Sequence, residues 1–143
     1  MAILEKFPGG KVYLDTNVFI YAVEAVAEYA VAIEALFGRI EDGSIVAATS
    51  ELTLAEVLVK PLEAGRHDIA KIYQDMLTSS AWLSVLPVER AILIEAARLQ
   101  FELTVRLPDA IHVATAVRAG CAAVLSNDRR LRVPAAIDLL RLR

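Results

Sequence analysis

Cysteine occurs once in the 143 residues, at Cys121. An internal disulfide is therefore impossible, and a structural zinc site would lack its thiolates. Such scarcity suits a reducing compartment, and a cytoplasmic location is expected. Cys121 follows Gly120 and opens a run of small apolar residues, so it reads as a packing residue. Histidine is almost as rare, with only His67 and His112. Long hydrophobic runs are missing too. A membrane-spanning helix needs roughly 18 or more consecutive apolar residues, and the richest stretch, Tyr21 to Phe37, is cut by Glu24, Glu28 and Glu34. The N-terminus shows no apolar run behind a basic end, so neither a secretory signal nor a membrane role is expected. Repeats, low-complexity tracts and linker-like stretches are absent, and the length fits one domain over residues 1–143.

What the chain does have is apolar residues, 57% of the total against 23% charged, which excludes a disordered chain. An apolar fraction this high on a small domain suggests hydrophobic surface buried between chains. Tyr21 to Phe37 is the candidate contact, since it carries more apolar residues than one buried face requires. The net charge of -3 is unevenly spread. Arg129, Arg130, Arg132, Arg141 and Arg143 face only Asp138 in the last 15 residues, a local charge of +4, while the remainder carries -7. A basic end on an acidic body could set a phosphate backbone beside an acidic pocket, although on charge alone a solvated surface is the favoured account.

Short apolar runs alternate with helical patterns. Strands are expected at 11–14, 45–48, 82–86 and 122–125, with a fifth at 136–140. Helices are expected at 17–24, 27–40, 53–60 (ending before Pro61), 68–77, 89–103 and 108–118. The strands are apolar without alternation, as when helices cover both faces of a parallel sheet. Strand C-terminal ends then share one edge, where open α/β folds hold ligands.

Two strands run into polar clusters, Asp15-Thr16-Asn17 and Ser126-Asn127-Asp128. Each could be a helix cap alone, but parallel central strands would bring Asp15 and Asp128 to one edge. Two further acids stand inside apolar helical patterns. Asp109 falls in a first turn, where the helix dipole favours it. Glu56 is spaced from Thr53 as in a capping box, a structural competitor for any chemistry at Glu56. Were these four carboxylates to converge, a hard divalent cation, Mg²⁺ or Mn²⁺, would offset their repulsion and could activate water or stabilise a transferring phosphoryl group.

The blocks Leu14-Asp15-Thr16-Asn17, Thr53-Leu54-Ala55-Glu56, Leu107-Pro108-Asp109-Ala110-Ile111-His112-Val113-Ala114-Thr115-Ala116 and Ser126-Asn127-Asp128, in that order, resemble a PIN domain. Within that family they look most like a VapC-type toxin ribonuclease, over residues 12 to about 132. The resemblance implies a three-layer α/β/α fold around a mostly parallel sheet. It implies endonucleolytic cleavage of RNA dependent on Mg²⁺ or Mn²⁺, a homodimer, and neutralisation by a cognate antitoxin whose C-terminal segment enters the active-site groove. The family's acidic quartet falls on Asp15, Glu56, Asp109 and Asp128, as catalytic and metal-binding residues. Its auxiliary polar positions fall on Thr16, Asn17 and Ser126, the last where many members have threonine. Arg129, Arg130, Arg132 and His112 are candidates for RNA contact, with surface charge for the arginines and an interior hydrogen-bonded role for His112 as the alternatives.

Other readings compete. An aspartate-based phosphotransferase or dehalogenase would want an acid at position 17, where this chain has Asn17. A Walker loop at Gly9-Gly10-Lys11 lacks its spacing and its hydroxyl residue. An RNA-processing nuclease without an antitoxin, and a non-catalytic PIN-fold binding module, remain open.

Overall fold

The structure, a computed structural model, describes residues 2–142. Arg143, counted above in the basic end, lies outside the described residues. Six parallel strands form one sheet: β1 (Ala2–Ile3), β2 (Gly10–Leu14), β3 (Ile45–Ser50), β4 (Leu83–Leu86), β5 (Ala123–Leu125) and β6 (Asp138–Arg141), in the order β1-β6-β5-β2-β3-β4. Six helices connect them: α1 (Thr16–Val23), α2 (Ala30–Glu41), α3 (Glu51–Glu63), α4 (His67–Ser79), α5 (Arg90–Leu103) and α6 (Leu107–Arg118).

Strand alternation divides the interior in two. Val12 and Leu14 point to one face, with Phe19, Val57, Tyr73 and Leu77 from α1, α3 and α4. Tyr13, between them, points to the other face, with Ile92, Leu99, Ala110 and Val113 from α5 and α6. The two apolar clusters, separated by the sheet, are the physical content of a three-layer α/β/α fold. Chain direction produces the same division. From β2 the chain steps to β3 and β4, then returns across the sheet to β5, so right-handed crossovers place α1–α4 on one face and α5–α6 on the other. The order reverses between β2 and β5, and their C-terminal ends open the crevice where such sheets hold ligands.

The expected strands and helices are present, with three differences. First, α3 continues through Pro61 to Glu63. Pro61 stands in the last turn, where it forfeits only the bond its nitrogen would have given Val57, and its ring is buried. Second, 27–40 is not one helix: a 3-10 turn at Ala27–Tyr29 precedes α2. Third, β1 pairs with β6, a two-residue strand without a legible pattern. Cys121 is buried and burial pushes its thiol up to about 11, in keeping with a packing role. No helix among the described residues is long and apolar enough to cross a membrane.

Candidate active site

Asp15 ends β2 and caps α1: its Oδ1 accepts the Thr16 amide at 2.8 Å. Its own amide donates to the Leu125 carbonyl at 3.0 Å, which extends the β2–β5 pairing to the last residue before the crevice. Across that junction the buried Ser126 hydroxyl donates to Asp15 Oδ2 at 2.6 Å. The same hydroxyl accepts the Asp128 backbone amide at 3.1 Å, so Ser126 holds the Asp15 carboxylate and the Asp128 main chain together. Asp15 is only 6% exposed, and both its oxygens are engaged.

Glu56 comes from α3. The cap of that helix is Ser50, whose hydroxyl accepts the Leu52 amide, and not Thr53. Thr53 lies inside the helix and shares a hydrogen bond with Thr49. The capping-box alternative therefore falls. Glu56 Oε1 instead accepts the Thr16 hydroxyl at 2.6 Å and lies 2.6 Å from His112 Nε2. Burial works to raise the Glu56 carboxyl, but these two hydrogen bonds outweigh it and hold the group below its ordinary value.

His112 is 1% exposed. Its Nδ1 meets the Tyr13 hydroxyl at 2.5 Å, and its Nε2 also stands 3.9 Å from Asp15 Oδ1. An RNA-contact role is excluded by this burial, and the interior alternative is the one the structure displays. Burial would lower the imidazole, yet Glu56, Asp15 and Asp109 together raise it. The Tyr13 phenol is pushed up, by burial first and then by Asp15.

Asp109 sits in the first turn of α6 and is 6% exposed. Burial raises its carboxyl above the ordinary range; Arg106 opposes the shift, while Asp128 and Asp15 add to it. The Arg106 guanidinium stands between two acids, with Nε 3.3 Å from Asp109 and Nη2 3.6 Å from Asp128. Arg106 was not singled out by sequence; the signal was a base three residues before Asp109, at the start of the same helix. Asp128 is also held by Arg130, through its amide at 2.9 Å and its Nε at 3.5 Å. Asn17 is half-buried in the first turn of α1, and Arg129 and Arg132 are exposed.

All four acids thus reach one edge, from β2, α3, α6 and the β5 loop, with Thr16 and Ser126 between them. The donor set is hard oxygen, with one buried imidazole. Among the described residues, no three Asp, Glu, His or Cys groups converge tightly enough to cage an ion unaided.

A three-layer domain with carboxylates at its switch point defines a class of α/β site proteins. The PIN domain profile matches residues 12–137, and the chain belongs to that family. No curated protein sequence matches the chain. Among solved structures, it resembles VapBC2 of Rickettsia felis bound to a DNA fragment from their promoter, at 16% identity and a TM-score of 0.69, over 92% of this chain and 98% of that one. VapBC-5 of Mycobacterium tuberculosis, a toxin-antitoxin system member, is 27% identical with a TM-score of 0.60 over the same shares. VapC20 of Mycobacterium tuberculosis, described as a sarcin-ricin loop cleaving toxin, is 17% identical with a TM-score of 0.67, over 82% of this chain and 91% of that one.

Proposed function

We propose that this PIN domain is a VapC-type toxin, an endoribonuclease that requires Mg²⁺ or Mn²⁺ and is neutralised in the cytoplasm by a cognate antitoxin. The observation that carries the reading is the gathering of Asp15, Glu56, Asp109 and Asp128 at the switch-point edge, tied together by Ser126, His112 and Arg106. The sarcin-ricin loop activity of VapC20 supports RNA as the substrate class, and the VapBC assemblies support a protein antitoxin.

The residues fit a hard divalent ion. Mg²⁺ keeps several waters and needs only one or two carboxylates, so a tight cage is not required. Asp109, raised by burial beside like charges, gains most from a cation. Asp15, Glu56, Asp109 and Asp128 would hold it. When bound there, such an ion lowers the pKa of water and offsets charge on phosphate oxygens.

The chain's own groups supply the rest. Ser126 holds the Asp15 carboxylate and fixes the main chain at Asp128. Thr16 and His112 both engage Glu56 Oε1, which leaves the second oxygen to accept a proton from the attacking water. Arg106 offsets repulsion between Asp109 and Asp128 before substrate arrives.

Two apolar surfaces suit the partners. A groove of about 740 Å³ runs beside α2, lined by apolar Leu4, Phe7, Val31, Ala32, Ala35 and Leu142 together with Glu5, Glu28 and Arg39, with Val31 83% exposed. It lies partly within the Tyr21 to Phe37 stretch and suits an apolar antitoxin segment. On α5, Ile94 and Phe101 are seven residues apart on one face, 67% and 87% exposed, and suit burial in a homodimer.

The test is cleavage of RNA by purified protein with Mg²⁺ or Mn²⁺ and with EDTA. Cleavage with either ion, abolished by EDTA and by Asp15→Asn, is expected. Full activity in EDTA would overturn the metal-dependent reading.

A further inference from the structure

Beside the acids, on the far side of Asn127, lies a second recess. It measures about 580 Å³ and is lined by Glu28, Tyr29, Asn127, Arg129 and Arg141. Every side chain that lines it carries a polar group, whereas the groove beside α2 mixes apolar and charged side chains. Its size falls within the range of small-molecule sites.

The recess joins the acidic edge through a single loop. Ser126 and Asp128 serve the acids, while Asn127 between them lines the recess. Asn127 Oδ1 accepts the Leu142 amide at 3.2 Å. One residue therefore fastens the end of β6 to the β5 loop beside this space. Tyr21 stacks on Tyr29, with ring centroids 4.1 Å apart and planes at 21°, which fixes an aromatic ring in the wall. Arg141 is anchored as well: its Nη1 donates to the Ser126 carbonyl at 3.3 Å. The recess thus presents two guanidinium groups, one carboxylate, a phenol and a fixed ring.

Guanidinium groups recognise phosphate through parallel N–H donors. Aromatic rings recognise unstacked bases by their faces, as single-stranded RNA presents them. We propose that this recess is a nucleotide subsite: it takes the RNA nucleotide next to the phosphodiester at the acids, with its phosphate at Arg129 and Arg141 and its base or ribose against Tyr29. The assignment rests on the ribonuclease reading for the identity of the polymer. It adds the place of the neighbouring nucleotide, and joins Arg141 from β6 to Arg129, already a candidate for RNA contact, in holding it.

The experiment separates binding from cleavage. A 2′-O-methyl oligoribonucleotide, labelled for fluorescence anisotropy, is titrated in EDTA against the wild type and against Arg129→Ala, Arg129→Glu and Arg141→Lys. Arg129 is exposed, so its variants are expected to fold, and circular dichroism checks each one. Arg129→Ala is expected to weaken binding about tenfold and to reduce the dependence of log Kd on log salt by about one phosphate contact. Arg129→Glu should weaken it further, and a nucleoside 5′-monophosphate should compete with the oligonucleotide for the wild type only. Unchanged Kd and salt slope in both Arg129 variants would overturn the subsite. Unchanged RNA binding with lost affinity for an acidic peptide would overturn it in favour of a protein-docking site. RNA cleavage by the wild type is measured separately. Its failure would strike the ribonuclease reading, while monophosphate binding through Arg129 would still uphold the nucleotide subsite.

Discussion

His112 Nε2 and Glu56 Oε1 meet at 2.6 Å over the edge of the sheet, although α6 and α3 lie on its opposite faces. A carboxylate can only accept, so Nε2 carries a proton. The contact lowers Glu56 against the pull of burial and helps raise His112 against the same pull. The raised His112 stabilises the fold fully below the ordinary imidazole value, and this is lost as pH rises through its folded value. The lowered Glu56 stabilises above the ordinary carboxylate range, and this is lost as pH falls through its folded value. Both contributions coexist in the mildly acidic range. In EDTA, the melting-temperature gap between wild type and Glu56→Gln should be larger near about pH 6 than near about pH 9. An equal gap at both would show that the pair is not charged.

Removing charge from the acids should uncouple activity from folding. Asp15→Asn keeps an oxygen for the Thr16 amide, and Asp109→Asn relieves a carboxyl crowded by Asp128 and Asp15. Each is expected to lower RNA cleavage by at least about two orders of magnitude, as for loss of an ion that activates water. Circular dichroism should show an unchanged fold. Cleavage by either variant within a few-fold of wild type would remove that residue from the catalytic set. Glu56→Gln should lose cleavage similarly.

A divalent cation should also be visible without any reaction. Mn²⁺ added to the wild type should raise the melting temperature, since a ligand that binds the folded state stabilises it. Asp109→Asn should flatten that response. A rise of equal size in both proteins would place the ion elsewhere.

Ser126 offers a test of orientation. Its hydroxyl serves Asp15 and Asp128 at once and is fully buried. Ser126→Ala should cost about 1.5–3 kcal/mol, the range for a hydrogen bond to a charged group. Urea denaturation measures it, and a loss within error of zero would show that Asp15 is held by other means.

The α5 face should decide assembly. Light scattering at micromolar concentration is expected to give the mass of two chains, and Phe101→Glu the mass of one. A wild-type monomer would leave the exposed Ile94 and Phe101 without this role.

The parallel sheet and the acidic edge were legible in the sequence because both rest on local signals. Apolar runs such as 45–48 and 122–125 mark buried strands, and polar residues directly after a strand fall at its C-terminal end. The place of Glu56 was obscured by Thr53, since a capping box and a crevice carboxylate share one spacing; the observed cap at Ser50 excludes the capping box. The placement of Arg106 and Arg141 was not legible: Arg141 counted only within the basic end, and Arg106 not at all. One reaches Asp128 from the start of α6, the other reaches the β5 loop from β6, and neither proximity has a sequence period. The strand β1 was missed because two residues carry no alternation, and its existence depends on the distant partner β6.

The bond between Ser126 and Asp15 spans 111 positions of sequence. In a chain made from its N-terminus, Asp15, Glu56 and Asp109 leave the ribosome well before their last companions. The β2–β5 junction closes only once the chain has been made through Leu125, and β6 must still follow to flank β5. A nascent chain that stalls or is cut short before Ser126 therefore carries at most three of the four acids and no assembled crevice. On the proposed nuclease reading, fragments that end before Ser126 should therefore be inactive, and activity in one would show that the crevice does not need the Ser126–Asp15 bond.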